Sequence, residues 1–269
     1  MKKLTIIDGH YFLWRSYSIP FKFTSKRGTP LHVCTVYLKL LRRTIGSIKN
    51  ASARDGIIVV FDANTTNSNF KLSKDYKANR RSFSDDEDSP YLHIQYVKQV
   101  LDFLNIKHLE VADVEADDVI ASISKDFCLK DTKNRVAIVS ADTDFYQLLN
   151  KQISVLNLRK GTEFNYISHK CVKEELGVYP NQYVTYKSLV GDSADNIKGV
   201  KGVGKITAKR IINREIGFDY LEHKDTLELN TKLITLNPNC KRYWDFRKCR
   251  LNFQILRFSN NHIFDRCGF

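Results

Sequence analysis

An α/β fold on a mostly parallel sheet, three layers deep, is what this sequence predicts, and two patterns predict it. Four short runs are almost continuously apolar and β-rich: Leu4-Thr5-Ile6-Ile7, Ile57-Ile58-Val59-Val60-Phe61, Val136-Ala137-Ile138-Val139 and Ile153-Ser154-Val155-Leu156. Strands of that kind are expected where helices cover both sheet faces. Helical candidates lie between them, at Val33 to Ile48, roughly Ser89 to Leu104, and Val114 to Phe127. Strands alternating with helices imply parallel pairing.

The strands matter most for where they end. The first runs into Asp8, the second into Asp62, and the third into Asp142, with Asp144 two residues on. In open α/β sheets functional groups gather beyond the carboxyl ends of the strands, so these distant carboxylates can converge on one crevice. Taken singly, each has a plain structural explanation as a helix cap or turn residue. Three strands delivering an acid in the same way weaken that explanation.

With 269 residues, the chain is long enough for one large α/β domain and a small helical appendage. An apolar share of 42% and a charged share of 27%, with no run of eighteen apolar residues, fit a soluble protein without a membrane span. The first apolar stretch stops at Asp8, too short for a signal peptide, which points to an intracellular chain. Six cysteines show no metal-ligand spacing and read as reduced thiols. A net charge of +13 suits a polyanionic partner. Basicity by itself discriminates little; its coexistence with dense acid clusters discriminates more.

Those clusters continue along the chain. Glu115-Ala116-Asp117-Asp118 opens the third helical candidate, where acids meet the positive end of the helix dipole. Glu115 and Asp118 share a face and Asp117 points about 100° away from Asp118. Such a fan of oxygens repels itself unless solvated or neutralised, and hard oxygen ligands suit magnesium and manganese. Gly191-Asp192-Ser193-Ala194-Asp195-Asn196 repeats the logic with Asp192 and Asp195 three residues apart. Together these make nine candidate metal acids in five segments: Asp8, Asp62, Glu115, Asp117, Asp118, Asp142, Asp144, Asp192 and Asp195. One magnesium needs only one or two carboxylates. So many imply two or more Mg2+ or Mn2+ ions, able to activate a water and stabilise a leaving oxygen in phosphodiester hydrolysis.

Residues Gly199 to Lys205 almost satisfy a nucleotide-binding P-loop, but Ile206 stands where a hydroxyl should reach the metal and no strand precedes the loop. ATP binding is therefore rejected. A glycine-rich turn leading into a helix, whose free N–H groups hold a DNA phosphate, fits Lys201, Gly202, Gly204 and Lys205 better. A purely structural turn is the alternative. Between 64 and 89 the chain is polar, basic and then acidic, and is expected to be mobile. It carries Tyr76-Lys77-Ala78-Asn79-Arg80-Arg81, a ring beside cations that suits single-stranded nucleic acid and equally a solvated basic loop.

In order, Asp8-Gly9, Phe61-Asp62, Tyr76-Lys77-Ala78-Asn79-Arg80, Glu115-Ala116-Asp117-Asp118, Asp142-Thr143-Asp144 and Gly191 to Ile197 resemble the 5′ nucleases of the flap endonuclease superfamily. The likeness runs from Leu4 to Ile212 and is strongest to bacteriophage 5′ exonucleases and the 5′ to 3′ exonuclease domain of bacterial DNA polymerase I. It implies a PIN-like sheet domain over 1–177, with a helical arch at about 64–105. A helix-hairpin-helix-type helical region for duplex DNA follows over 178–269. The activity implied is structure-specific: hydrolysis at 5′ ends, 5′ flaps and single-strand/double-strand junctions, leaving 5′-phosphate and 3′-hydroxyl ends. Asp8, Asp62, Glu115, Asp117 and Asp142 are then expected nearer one ion, Asp144, Asp192 and Asp195 nearer another, and Asp118 to act through ordered waters. Lys77 and Arg80 match catalytic cations of the arch, Tyr76 a base-stacking ring, and Arg81 a further DNA contact. The resemblance places a potassium ion at the glycine turn, where Lys198 and Lys201 stand in place of prolines of the polymerase-linked members. Such a chain is expected to be a cytoplasmic monomer, in a bacterial or phage-infected cell, working beside a separate DNA polymerase. Two rivals are a catalytically silent DNA-binding protein on the same fold and a PIN-like ribonuclease.

Overall fold

The computed structural model describes residues 1–20, 23–25, 27–48, 52, 55–63, 76–77, 89–158, 164–240, 244–250 and 253–269. The elements run β1 (Lys3–Asp8), α1 (Gly9–Tyr17), α2 (His32–Ser47), β2 (Gly56–Val60), α3 (Ile94–Phe103), β3 (Lys107–Leu109), α4 (Ala116–Leu129), β4 (Arg135–Val139), β5 (Ile153–Leu158), β6 (Phe164–Ile167), α5 (His169–Leu176), α6 (Tyr183–Val190), β7 (Gly191–Asp192), β8 (Ile197–Lys198), α7 (Lys205–Ile212), α8 (Lys224–Ile234) and α9 (Asn260–Cys267). The arch expected at 64–105 falls largely outside the described residues, and with it Arg80, Arg81 and the expected mobility of that segment.

The six-stranded sheet has the order β3-β2-β1-β4-β5-β6, parallel except for the β5–β6 pair. Alternation along each apolar strand divides its side chains between two cores. Ile7, Ile57, Val59 and Val139 face α1, α2, α3 and α9. Leu4, Ile6, Ile58, Val60, Val136 and Ile138 face the layer of α4. Each fully buried side chain of this kind contributes about 1.5–3 kcal/mol, so burial on both sides fixes the register. Asp8 then lies level with Val60, and Ile7 level with Val139, which puts Asp8, Asp62 and Asp142 at the same sheet end.

A second body of helices, α6 and α7, packs round Tyr183, Tyr186, Leu189, Val200 and Ile211. Between them runs the short β7–β8 hairpin. Only glycine fits its root: Gly191 has φ +85°, and a Cβ on Gly199 would stand 2.3 Å from the Val190 carbonyl carbon. Beyond Leu236 the chain returns to the sheet. Arg42 donates to the Ile255 and Phe258 carbonyls at 2.9 and 2.8 Å, Ile57 N–H donates to the Cys249 carbonyl at 2.6 Å, and Ile263 and Phe264 of α9 enter the first core. No disulfide forms among the described residues, and no helix among them is long and apolar enough to cross a membrane.

Candidate metal centre

Asp8 ends β1 and caps α1. One carboxylate oxygen accepts the Tyr11 N–H at 2.9 Å and the other accepts the Ser140 hydroxyl at 2.8 Å. Asp142 caps the 3-10 turn Thr143–Leu148 by accepting the Asp144 N–H at 2.8 Å. Asp62 accepts the Ala116 N–H at 2.7 Å, capping α4 from outside its own segment. The capping explanation is thus true of all three, yet in Asp62 and Asp142 a single oxygen makes the cap; the second Asp62 oxygen stands 3.4 Å from His10 Nδ1.

Asp117 lies in the first turn of α4 amid this group. Burial, followed by the charges of Asp142, Asp8 and Asp62, drives its carboxyl well above the usual carboxylate range. Burial likewise pushes Asp8 up to about 6, against the hydrogen bonds from Tyr11 and Ser140 and with help from Asp62 and Asp142. Four acids therefore repel one another across one crevice.

A second group adjoins the first. Ligand oxygens of Asp144, Asp192 and Asp195 lie within 4.8 Å of one another. The 3-10 turn brings in Asp144, while the β7–β8 hairpin, with Asn196 at φ +57°, returns Asp192 and Asp195. The Lys187 ammonium, from the last turn of α6, bridges Asp144 and Asp192. Burial raises Asp144 to about 6, with Asp142 and Asp192 adding to the rise and Lys187 opposing it. For Asp192 burial is outweighed by Lys187 and by the N–H groups of Ala194 and Asp195, which hold it below its ordinary value.

Glu115 and Asp118 are engaged differently. Glu115 pairs with the Lys77 ammonium and accepts the Tyr76 hydroxyl at 3.4 Å. Asp118 accepts the Asn237 N–H at 2.7 Å from the returning C-terminal segment, and burial raises it to about 6. Lys77 itself is anchored by its N–H to the Asp195 carbonyl at 2.9 Å, at φ +55°. Tyr76 is only 3% exposed and packs with Ile197, Leu233 and Ile234. Lys201, Gly202 and Gly204 are exposed on the turn before α7 and Lys205 is exposed at its start, with Gly202 at φ +80°.

Three contributors were not singled out in the sequence. Lys187 stands five residues before Asp192, Ser140 two before Asp142, and His10 follows Asp8-Gly9. His10 Nδ1 accepts the Asp62 N–H at 3.0 Å, and burial lowers the ring's affinity for a proton. Only closeness to an already suspected acid could have drawn attention to them.

Crowded, desolvated carboxylates fit a hard divalent ion. The same crowding has a consequence for the metal-free protein. Folded-state values of about 6 for Asp8, Asp118 and Asp144, against 3.8 when unfolded, mean that the folded state binds more protons between those limits. Stability from these groups is full below 3.8 and is lost as pH rises through about 6. In chelator, the melting temperature should therefore fall as pH rises from about 4 to about 7, and excess Mg2+ should flatten that fall. Thermal melts across the range, with and without chelator, check it; a rise with pH in chelator would contradict it.

Comparison with known proteins places this geometry. Residues 3–177 match the family model of the 5'-3' exonuclease, N-terminal resolvase-like domain, and residues 178–221 that of the 5'-3' exonuclease, C-terminal SAM fold. The chain belongs to the 5'-3' exonuclease family. It is 32% identical over 213 residues to the 5'-3' exonuclease of Buchnera aphidicola subsp. Schizaphis graminum, covering 79% of this chain and 70% of that one. To the thermostable DNA polymerase I of Thermus aquaticus it is 31% identical over 258 residues, 94% of this chain but only 29% of the polymerase's length. The fold is also that of the bacteriophage T5 flap endonuclease, solved as a pseudo-enzyme-product complex with DNA and metal ions, at a TM-score of 0.66 and 20% identity over 87% of this chain and 89% of that one. The resemblance read from the motif order, and the PIN-like α/β fold with a helical C-terminal region, are met.

Proposed function

We propose that this protein is a structure-specific 5′ nuclease that hydrolyses DNA phosphodiesters at 5′ ends and 5′ flaps in a divalent-metal-dependent reaction. What carries the reading is the meeting of two carboxylate groups at one end of the sheet: Asp8, Asp62, Asp117 and Asp142, beside Asp144, Asp192 and Asp195. Magnesium or manganese held there supplies activation of water and neutralisation of a leaving oxygen. The protein's own share is positional. Asp8 and Asp142, fixed by Ser140 and by the caps they make, hold their oxygens rigid, and Asp62 does so through α4. Glu115 orients the Lys77 ammonium at the crevice, and Asp118 ties α4 to the C-terminal segment.

Lys77 offsets charge on the phosphate as the bond breaks, with Arg80 as its expected companion. Exposed Lys201, Gly202 and Gly204 precede the α7 N-terminus, which Lys205 opens and where free N–H groups suit a duplex phosphate, with K+ as a further occupant of the turn. Duplex contact is proposed for the helical region over 178–269, whose residues beyond Leu236 also pack back on the sheet.

Lys77→Ala should lower the single-turnover cleavage rate by about 10²-fold, the scale of losing one preorganised charge-stabilising donor, with a smaller effect on DNA affinity. A rate equal to the parent's would remove Lys77 from the chemistry. The function as a whole is tested by mapping products on end-labelled flap, nicked and blunt duplexes with Mg2+ and with chelator. Junction-proximal cuts that require Mg2+ are expected; DNA binding without cleavage would favour a silent DNA-binding protein, and cleavage confined to an RNA strand of the same shape a ribonuclease.

A further inference from the structure

Lys187 is 8% exposed, and its ammonium bonds two carboxylates of one three-acid cluster. Nothing in the assignment of the acids requires it. α6 is held at its C-terminal end by Gly191, whose N–H returns to the Lys187 carbonyl, and Asn230 ties the Ser188 and Lys198 carbonyls together at 2.9 and 2.8 Å. The backbone that carries Lys187 is thereby fixed, and only the side chain has freedom to move.

We propose that the Lys187 ammonium is the built-in counter-ion of the Asp144–Asp192–Asp195 cluster, and that a divalent cation entering the cluster displaces it into the adjoining cleft. This rests on the reading of those acids as cation ligands. Space makes the argument. Magnesium takes oxygens at about 2.0–2.1 Å, so ligands on opposite sides stand about 4 Å apart, close to the 4.8 Å within which the three carboxylates supply oxygens. An ammonium touching both Asp144 and Asp192 stands against two of the three members of that same set. Cation and ammonium would also repel each other strongly at such range.

There is somewhere for the lysine to go. A cleft of about 670 Å³ opens beside the cluster, lined by Tyr183, Tyr186, Ser193 and Asn196 as well as Lys187 and Asp192. The Tyr183 ring, with its centroid 6.0 Å from the ammonium, forms part of the wall of that cleft. Lys77 differs: its backbone is bound to Asp195 and its partner is Glu115, outside the three-acid set.

Amine acetylation of the unmodified protein, read residue by residue by mass spectrometry, tests the exchange, with Mn2+ alone as the probe. In chelator Lys187 should be protected, and saturating Mn2+ should raise its labelling rate by about tenfold or more, while Lys173, bonded to the Gly177 carbonyl, keeps its rate. In parallel, Lys187→Met should bind Mn2+ about tenfold more tightly by calorimetry and melt lower than the parent in chelator. If the parent binds Mn2+ and Lys187 stays protected, the exchange is refuted while the cation site stands. Should the parent take up no Mn2+, both readings fall. Labelling of the parent decides the matter even where the methionine variant does not fold.

Discussion

Asp142→Ala is expected to lower cleavage of a 5′-labelled flap by about three orders of magnitude or more, while DNA binding stays measurable. Asp142 borders both carboxylate groups: its charge raises Asp117 on one side and Asp144 on the other. It also caps the turn that carries Asp144, through the 2.8 Å bond to that N–H. One substitution therefore removes a proposed ligand and loosens another. Charge stabilisation by a bound ion is worth several kcal/mol, and each 1.36 kcal/mol is a factor of ten in rate, which sets the scale. Binding is spared because the phosphate contacts proposed for the α7 turn lie elsewhere. Single-turnover kinetics beside an equilibrium binding assay check both halves. Full activity in this variant would remove the carboxylates from the chemistry.

Asp117→Asn should show opposed effects on activity and stability. Activity falls on the same scale, yet in chelator the variant should melt higher than the parent. Asp117 is the acid for which burial and three neighbouring carboxylates all oppose ionisation. An amide of nearly the same shape relieves that repulsion. Relief on the order of 1 kcal/mol corresponds to about 2–4 °C in a chain of this size, and stability gained by dismantling a charged site is an expected trade. With saturating Mg2+ the order should reverse, because the parent gains more from binding. A variant that melts lower than the parent in chelator would mean that Asp117 is held by partners rather than strained by them.

How far the sequence foretold this arrangement depended on the kind of signal. β1, β2, β4 and β5 were legible because burial on both faces leaves uninterrupted apolar runs, and the acids at their ends followed. β3 and β6 were not: Lys107–Leu109 and Phe164–Ile167 stand at the sheet's edges, where nothing forces an apolar run. α1 escaped because its glycine start and mixed aromatic content give a weak periodic pattern. Its cap, Asp8, bears out the capping explanation that the sequence offered beside the ligand reading. The burial of Tyr76 was not legible, because a ring next to cations looks the same in sequence whether it faces solvent or Leu233 and Ile234. Lys187 was silent, since a lysine in a helix is ordinary until a hairpin folds two aspartates onto it.

The central claim is that acids from five segments form one cation-binding crevice, and Mn2+ anomalous scattering from crystals of the protein tests it most directly. Two peaks are predicted, one among Asp8, Asp62, Asp117 and Asp142 and the other among Asp144, Asp192 and Asp195. Crystals soaked in Mn2+ that show no ordered ion at either group, or ions only on remote surfaces, would contradict it.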